Sequence, residues 1–173
     1  VSHGESMSEA SAGDAELLFD RTPFYAESGG QAGDHGVIQF DDETRFIVRD
    51  VVKRAGSLHV HVGELVSGQI KVGASAKLTI DTDRRAAIVA NHSATHLMHA
   101  ALRKVLGEHG TQKGSLVEAA RLRFDFSHGE PVTAAQIEAI EAEVNAAIRR
   151  NAPTDIQVTT PDAAIEAGAL ALF

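Results

Sequence analysis

Two histidines four residues apart offer the clearest chemistry in the chain. His92 and His96 stand in the run Asn91-His-Ser-Ala-Thr-His-Leu97. On a helix this spacing projects both side chains from one face, where two imidazoles can share one zinc ion. His99 continues the same stripe three residues further on. A pair of partly buried helix histidines has the same spacing, so the pattern alone leaves both interpretations open.

The neighbouring residue excludes one class of zinc enzyme. Zinc proteases place a glutamate directly after the first histidine as the general base, and here that position is Ser93. The 173 residues include no cysteine. Thiolates are therefore absent both as metal ligands and as catalytic nucleophiles.

Two further segments could contribute polar or backbone groups to a site. The Thr22–Asp34 segment is a glycine-rich loop without the lysine of a phosphate-binding loop. Its Gly29-Gly30 pair allows close backbone approach or positive φ, although a purely structural corner would have the same composition. Gln112 is a neutral hydrogen-bonding residue that follows the histidine-bearing helix. A returning loop could place it beside a metal, and a solvated turn is the alternative.

Composition narrows the function classes. The net charge is −8, which argues against bulk, non-specific binding to nucleic acid but allows a local basic track. That track comprises Arg84, Arg85, Arg103, Lys104, Lys113, Arg121 and Arg123. No apolar run approaches the roughly 18 residues that a membrane span needs. The polar, acidic start is not a signal peptide, so we expect no membrane partner and a cytoplasmic location.

The hydrophobic periodicity changes along the chain and predicts an α+β fold. Residues 1–82 show short alternating stretches separated by glycines, which favours a small antiparallel β-barrel. Residues 83–173 are expected to form an α/β core on which this barrel packs. The elements expected after the barrel are a helix over 84–106, strands at 115–117, 121–126 and 156–158, a helix behind a capping box at Thr133, and a short last helix starting at Thr160-Pro161.

Five blocks resemble the alanyl-tRNA synthetase family, in order and with family-like spacing. They are Thr22–Asp34, Asn91–Leu97, Gln112-Lys-Gly-Ser-Leu-Val117, Arg121-Leu-Arg-Phe-Asp-Phe-Ser-His128 and Ala167-Gly-Ala-Leu-Ala-Leu-Phe173. One block alone is weak, whereas five in sequence are highly specific. Free-standing editing proteins related to this enzyme share the His-x-x-x-His block.

The resemblance implies an editing region, which deacylates tRNA(Ala) wrongly charged with serine or glycine. It implies a small β-barrel beside a zinc-holding α/β core. His92 and His96 match two of four zinc ligands. Thr95 matches the threonine implicated in telling serine from alanine, and Gln112 matches a glutamine that lines the editing pocket and is our catalytic candidate.

The same resemblance implies that this chain is incomplete. In the family the other two ligands are a cysteine and a histidine from a block downstream of the Ala-Leu-Phe at which this chain stops, so we expect a truncated core with weak zinc occupancy. By the same resemblance, we expect the ATP-dependent aminoacylation domain of the parent synthetase to lie outside this chain. The implied partners are the tRNA(Ala) acceptor end and the remainder of the parent. We expect the Thr22–Asp34 loop to lie near His92 and His96, and Gly29 and Gly30 to help receive that acceptor end.

The chemistry expected of such a site is hydrolysis by a zinc-activated water. Zinc with an open position lowers the pKa of bound water to about 7. A pocket that selects alanine rejects serine and glycine poorly, so a second, hydrolytic site is needed. The alternatives are a non-catalytic module that contacts RNA or protein, and a complete free-standing editing factor. The missing cysteine block argues against the latter.

Overall fold

A computed structural model of the chain describes residues 8–168. The chain forms two compact units. One runs up to His92 and takes in Ser115–Leu122, and the other consists of Ser93–Gly114 and the chain from Arg123 onward. The long helix α1 contributes to both units. The division into a domain over 1–82 and a domain over 83–173 stays a prediction.

The first unit is built on antiparallel strands. Its strands are β1 (Glu9–Ala10), β2 (Gly13–Leu17), β3 (Gly36–Gln39), β4 (Arg45–Arg54), β5 (Leu58–Ser67), β6 (Ile70–Lys71) and β7 (Lys77–Ile80). Five of them form one sheet in the order β2-β5-β4-β3-β7, and β1 pairs separately with β6. Every pairing among these seven strands is antiparallel, as the alternating sequence predicts.

The predicted closed barrel is not supported. In residues 8–168 the five-stranded sheet is open, with β2 and β7 at its two edges. Closure would require these edge strands to pair. The mixed α and β content with antiparallel sheets is confirmed, but alternating strands predict a sheet with one buried face and do not determine whether its edges meet.

The core of the first unit follows the inward-facing positions of the central strands. Ile38 in β3 and Phe46, Val48 and Val51 in β4 are almost fully buried. Strand β5 adds His61, which is also fully buried. Residues 46 and 48 alternate as expected of a half-buried strand, and a bulge between Val48 and Asp50 shifts the register before Val51.

Helix α1 (Thr82–Leu106) follows β7. Strands β8 (Gln112–Val117) and β9 (Leu122–Phe126) come next and form a two-stranded sheet. The long helix and both strands are confirmed close to their predicted bounds.

Two capped helices complete the described chain. Helix α2 (Ala134–Arg150) starts at the predicted capping box, in which Thr133 and Gln136 satisfy each other's backbone N–H groups. It buries Ile140 against Leu102 and Leu106 in the core of the second unit. Helix α3 (Pro161–Glu166) has Thr160 as its N-cap, and Gly168 follows it with φ of 89°.

The predicted strand at residues 156–158 is wrong. That stretch has no regular secondary structure, and Ile156 and Val158 are 83% and 99% exposed. A strand needs a partner, and no strand within residues 8–168 pairs with it. Residues 169–173, most of the last block singled out in the sequence, lie outside the described residues. Within residues 8–168 none of the helices combines the length and the apolar character that crossing a membrane requires.

Candidate functional site

Helix α1 carries the two histidines one turn apart on its exposed side. Its buried positions are Ile88, Thr95, His99, Ala101, Leu102 and Leu106. Most of them repeat at three and four residues, which defines one helix face. Thr95 therefore points inward, whereas His92 and His96 are exposed. The predicted helical geometry of the pair is confirmed.

The glycine-rich loop meets the helix at His92. The side-chain oxygen Oε1 of Gln31 lies 2.6 Å from Nδ1 of His92. Gln31 itself is only 8% exposed. The Thr22–Asp34 loop was predicted to lie near His92 and His96; its contact with His92 is confirmed, and its proximity to His96 stays a prediction. Gln31 was not among the predicted site residues. Its position directly after Gly29-Gly30, in a loop that the sequence already singled out, could have indicated it as a site residue.

The two loop glycines differ in their surroundings. Both have positive φ, 59° at Gly29 and 82° at Gly30. A Cβ at Gly29 would meet no heavy atom within 4 Å, whereas one at Gly30 would lie 2.4 Å from the backbone oxygen of Ser115. Gly29 is therefore open, and Gly30 permits a close backbone contact. Their predicted role in receiving substrate stays a prediction.

An ion pair ties the end of this loop to the start of α1. Asp34 is 2% exposed; it accepts hydrogen bonds from the guanidinium of Arg85 and from the backbone N–H of Tyr25. Arg84 donates to the carbonyl of Gly33. Burial alone would raise the pKa of Asp34, but the hydrogen bonds from Arg85 and Tyr25 and the charges of Arg85 and Arg84 hold that pKa below its ordinary value.

The remaining predicted residues belong to the second unit. Thr95 is 6% exposed and precedes His96 on α1, and Gln112 is the half-buried first residue of β8. His99 packs its ring 5.2 Å from that of Phe124. Burial lowers the pKa of His99, and the nearby charges of Arg103 and His96 lower it further. The roles proposed for Thr95, His96 and Gln112 stay predictions.

A complete zinc shell is not present in the part of the chain that the structure describes. A catalytic zinc usually has three protein ligands and a structural zinc has four. Residues 8–168 contain no group of three or more His, Cys, Asp or Glu side chains placed to hold a metal ion. That His92 and His96 supply two positions of such a shell stays a prediction, and within residues 8–168 His99 does not complete a group of three with them.

Most of the predicted basic track is paired with acidic side chains or carbonyls. Besides Arg84 and Arg85, the paired cations are Arg103 with Glu108, Lys104 with Glu143, Arg121 with Glu118 and Arg123 with Asp125. Surface pairs of this kind contribute little to stability. They do neutralise the local positive charge, so the track offers less attraction to phosphates than the sequence indicates.

Two concave spaces lie elsewhere in the first unit. A cavity of about 260 Å³ is bounded by residues of β1, β2 and β6, and a second, more open pocket includes Thr22 and Pro23. The lining of these two pockets includes none of the predicted site residues. His92 and His96 are both exposed on α1.

Comparison with known proteins identifies the family. Residues 1–84 match the family model for class II (A) tRNA synthetases. An alanine–tRNA ligase from Hyphomonas neptunium is 72% identical over 98% of this chain and 19% of its own length. Those of Rhizorhabdus wittichii and Caulobacter vibrioides are 55% and 54% identical over 100% of this chain and 20% of theirs. The chain thus spans about a fifth of the length of the curated relatives it matches, and it belongs to the alanyl-tRNA synthetase family.

Proposed function

We propose that this chain is a segment of an alanine–tRNA ligase and forms part of its editing site, where Ser-tRNA(Ala) and Gly-tRNA(Ala) are hydrolysed. Relatives named alanine–tRNA ligase match the whole chain. The observation that carries the editing role is the exposed pair His92 and His96, one turn apart on α1. In this proposal ATP-dependent aminoacylation takes place in the remainder of the ligase, in the cytoplasm.

The reaction is the hydrolysis of an ester. Water adds to the carbonyl that joins the amino acid to the terminal ribose, and the ribose hydroxyl leaves with a proton. His92 and His96 would hold two positions of a zinc shell, with the other ligands supplied from outside the described residues. Zinc, when bound, supplies a Lewis acid and lowers the pKa of water. The Gln112 amide can donate to and accept from the bound aminoacyl group, which fixes its orientation.

Thr95 would provide selectivity. Its hydroxyl can both donate and accept a hydrogen bond, so it can pair with the hydroxyl that distinguishes serine from alanine. A site that hydrogen-bonds a substrate hydroxyl discriminates against analogues lacking it, because its own polar group would be left unpaired. Thr95 directly precedes His96 on α1, which places it beside the histidine pair in the sequence of the helix.

The acceptor end of tRNA(Ala) is the proposed partner of the glycine-rich loop. Gly29 leaves its backbone open to an approaching group. Since the local cations are largely paired, we expect shape and backbone contacts to contribute more here than charge. Contacts elsewhere in the ligase would then supply most of the electrostatic attraction for the tRNA.

The second candidate is a non-catalytic module that contacts RNA or protein. It is favoured by one observation, the lack of a third metal ligand in residues 8–168. In that case the histidines would be surface residues whose loss leaves deacylation unchanged.

Deacylation by the intact ligase distinguishes the two candidates. Ser-tRNA(Ala) hydrolysis and alanylation of tRNA(Ala) would be measured for wild type, His92→Ala and the control His59→Ala. His59 is a histidine of β5 whose Nδ1 lies 3.2 Å from the carbonyl oxygen of Ser57, two residues away. We expect His92→Ala to lose hydrolysis while keeping alanylation, and His59→Ala to keep both. Unchanged hydrolysis in His92→Ala would leave the non-catalytic module as the better account.

A further inference from the structure

The turn that carries Gln31 is rigidly defined. Ser28 and Gln31 exchange backbone hydrogen bonds, with N–O distances of 3.2 Å and 3.0 Å. The two residues between them, Gly29 and Gly30, both have positive φ. A two-residue connection with positive φ at both positions is a type I′ turn, which suits glycine. The direction in which Gln31 leaves the turn is therefore fixed by the backbone.

Strand β8 holds this turn in place. The N–H of Ala32 donates to the carbonyl of Val117 over 3.0 Å, and the N–H of Val117 donates to the carbonyl of Gly30 over 2.8 Å. These bonds flank Gln31, which forms a parallel bridge with Val117. Gly30 packs so closely on Ser115 that a Cβ would not fit. The turn thus behaves as an extra short strand beside β8.

The same end of β8 also binds helix α1 next to His92. The side-chain amide of Asn91 donates to the carbonyls of Glu118 and Ala119, over 2.7 Å and 3.2 Å. The loop and the helix are therefore held by one piece of chain, within the first unit. This shared support explains why the nearly buried side chain of Gln31 meets the ring of His92.

The contact determines which ring nitrogen carries the proton. A glutamine Oε1 only accepts hydrogen bonds, so Nδ1 of His92 must be the donor. In a neutral imidazole the other nitrogen, Nε2, then has the lone pair. Metal-binding histidines commonly donate from one ring nitrogen to a carbonyl or carboxylate oxygen, which fixes both the tautomer and the ring orientation.

We propose that Gln31 is a positioning residue for His92, holding it in the Nδ1–H tautomer so that Nε2 presents its lone pair to a divalent metal ion. The metal-binding clause rests on the proposed function, whereas the tautomer and its dependence on Gln31 rest on the geometry of the chain itself. Glutamine in place of the more usual carboxylate orients the ring without adding a negative charge.

The tautomer can be observed directly in the metal-free chain. Nitrogen-15 NMR of the histidine side chains, with His92 assigned from the His92→Ala spectrum, separates the two neutral forms. We expect His92 to be protonated at Nδ1 in the wild type. Gln31→Leu should shift the population toward Nε2–H, and Gln31→Glu, which keeps an acceptor, should retain Nδ1–H. The control Gln69→Leu, at an exposed glutamine of the same unit, should change nothing. Wild-type His92 protonated at Nε2 would overturn the proposal without any variant.

The zinc affinity of the intact ligase tests the metal-binding part of the proposal. Competition with a chelator, using zinc alone as the probe, should show affinity about 10- to 100-fold lower in Gln31→Leu, with recovery in Gln31→Glu. Equal affinity in wild type and Gln31→Leu would overturn the positioning role. If the tautomer and the affinity respond as expected but His92→Ala still deacylates Ser-tRNA(Ala), the proposed function fails while Gln31 remains the positioning residue.

Discussion

Burial separates the structural histidines from the candidate site. His61 is fully buried. Its ring makes edge-on contacts with the rings of Phe19 and Phe24, and the ring centroids are 5.2 Å apart in both pairs. Its Nδ1–H donates to the carbonyl of Leu17, so Nε2 accepts from the hydroxyl of Thr22. Both ring nitrogens are satisfied inside the protein, which makes His61 a core residue and not a ligand.

Acidification should therefore destabilise the first unit through His61. Burial lowers the pKa of His61 below its ordinary value of 6.5; the Leu17 carbonyl opposes this shift and the charge of His59 adds to it. Because the unfolded chain then binds protons more readily, the free energy of unfolding is highest above about pH 6.5 and falls below it. Burial also lowers the pKa of His35 and of His99, so part of the effect will remain in any single variant.

Urea unfolding at pH 7.5 and pH 5.5 checks this expectation. The free energy of unfolding of His61→Leu should be about 1–3 kcal/mol lower than that of the wild type at pH 7.5, because the Leu17 carbonyl and the Thr22 hydroxyl lose their partner. Between pH 7.5 and pH 5.5 the free energy of unfolding of this variant should also fall by less than that of the wild type. His59→Leu, two positions earlier on the same strand, is the matched control and should keep most of the drop, because the charge of His59 is the smallest of the causes that act on the pKa of His61. An undiminished drop in His61→Leu would contradict this account.

A second prediction about a single residue concerns Thr95 and is tested in the intact ligase. Thr95→Val keeps the side-chain shape but removes the hydroxyl, so a serine hydroxyl loses its partner. One hydrogen bond contributes about 1 kcal/mol, which corresponds to roughly a fivefold change in the ratio of Ser-tRNA(Ala) to Gly-tRNA(Ala) hydrolysis. Thr95→Ser, which keeps the hydroxyl, should preserve the ratio. An unchanged ratio in Thr95→Val would exclude Thr95 from serine recognition.

At the scale of elements, the glycine-rich loop makes a close backbone contact with β8 at Gly30. Gly29 and Gly30 share positive φ, so alanine at either position is strained by about 1–2 kcal/mol. Only at Gly30 would the new Cβ also collide with the backbone of Ser115. Since that atom belongs to a strand, it cannot move aside as a flexible side chain would.

The two glycines therefore form a matched pair for mutation. Gly30→Ala should lower the free energy of unfolding by at least about 1 kcal/mol more than Gly29→Ala, because overpacking adds about 1–3 kcal/mol to the backbone strain. Denaturant melts of both variants, followed by circular dichroism, measure the difference. Equal losses would show that the loop moves away from β8 without cost.

Element type was predictable where the pattern is local. The period of α1, the capping box at Thr133 and the alternating strands all specify their own structure within a few residues. The strand expected at residues 156–158 was wrong because a strand needs a partner, which the local pattern does not specify and which no strand in residues 8–168 provides. The barrel was wrong because sheet closure depends on whether distant edge strands pair. The contact between Gln31 and His92 spans 61 residues, so spacing could identify the histidine but not its neighbour.

At the scale of the whole molecule, the site residues are divided between the two compact units. His92 and the glycine-rich loop belong to the first, and Thr95, His96 and Gln112 belong to the second. Each unit has its own apolar core. The cores contain no metal-dependent contact among the described residues, so we expect the fold to survive loss of either histidine.

The last prediction concerns zinc binding by the 173-residue chain alone. Two imidazoles make half of a four-ligand shell, the chain has no cysteine, and residues 8–168 offer no third ligand beside them. Binding free energy grows with each ligand that is already oriented, so the histidine pair should bind zinc weakly and lose it on dialysis. Atomic absorption after dialysis should find far less than one zinc per chain in the wild type and no difference in His92→Ala. The intact ligase should retain a zinc that its own His92→Ala variant loses. One tightly held zinc per isolated chain, absent from His92→Ala, would instead show that this chain completes the site by itself.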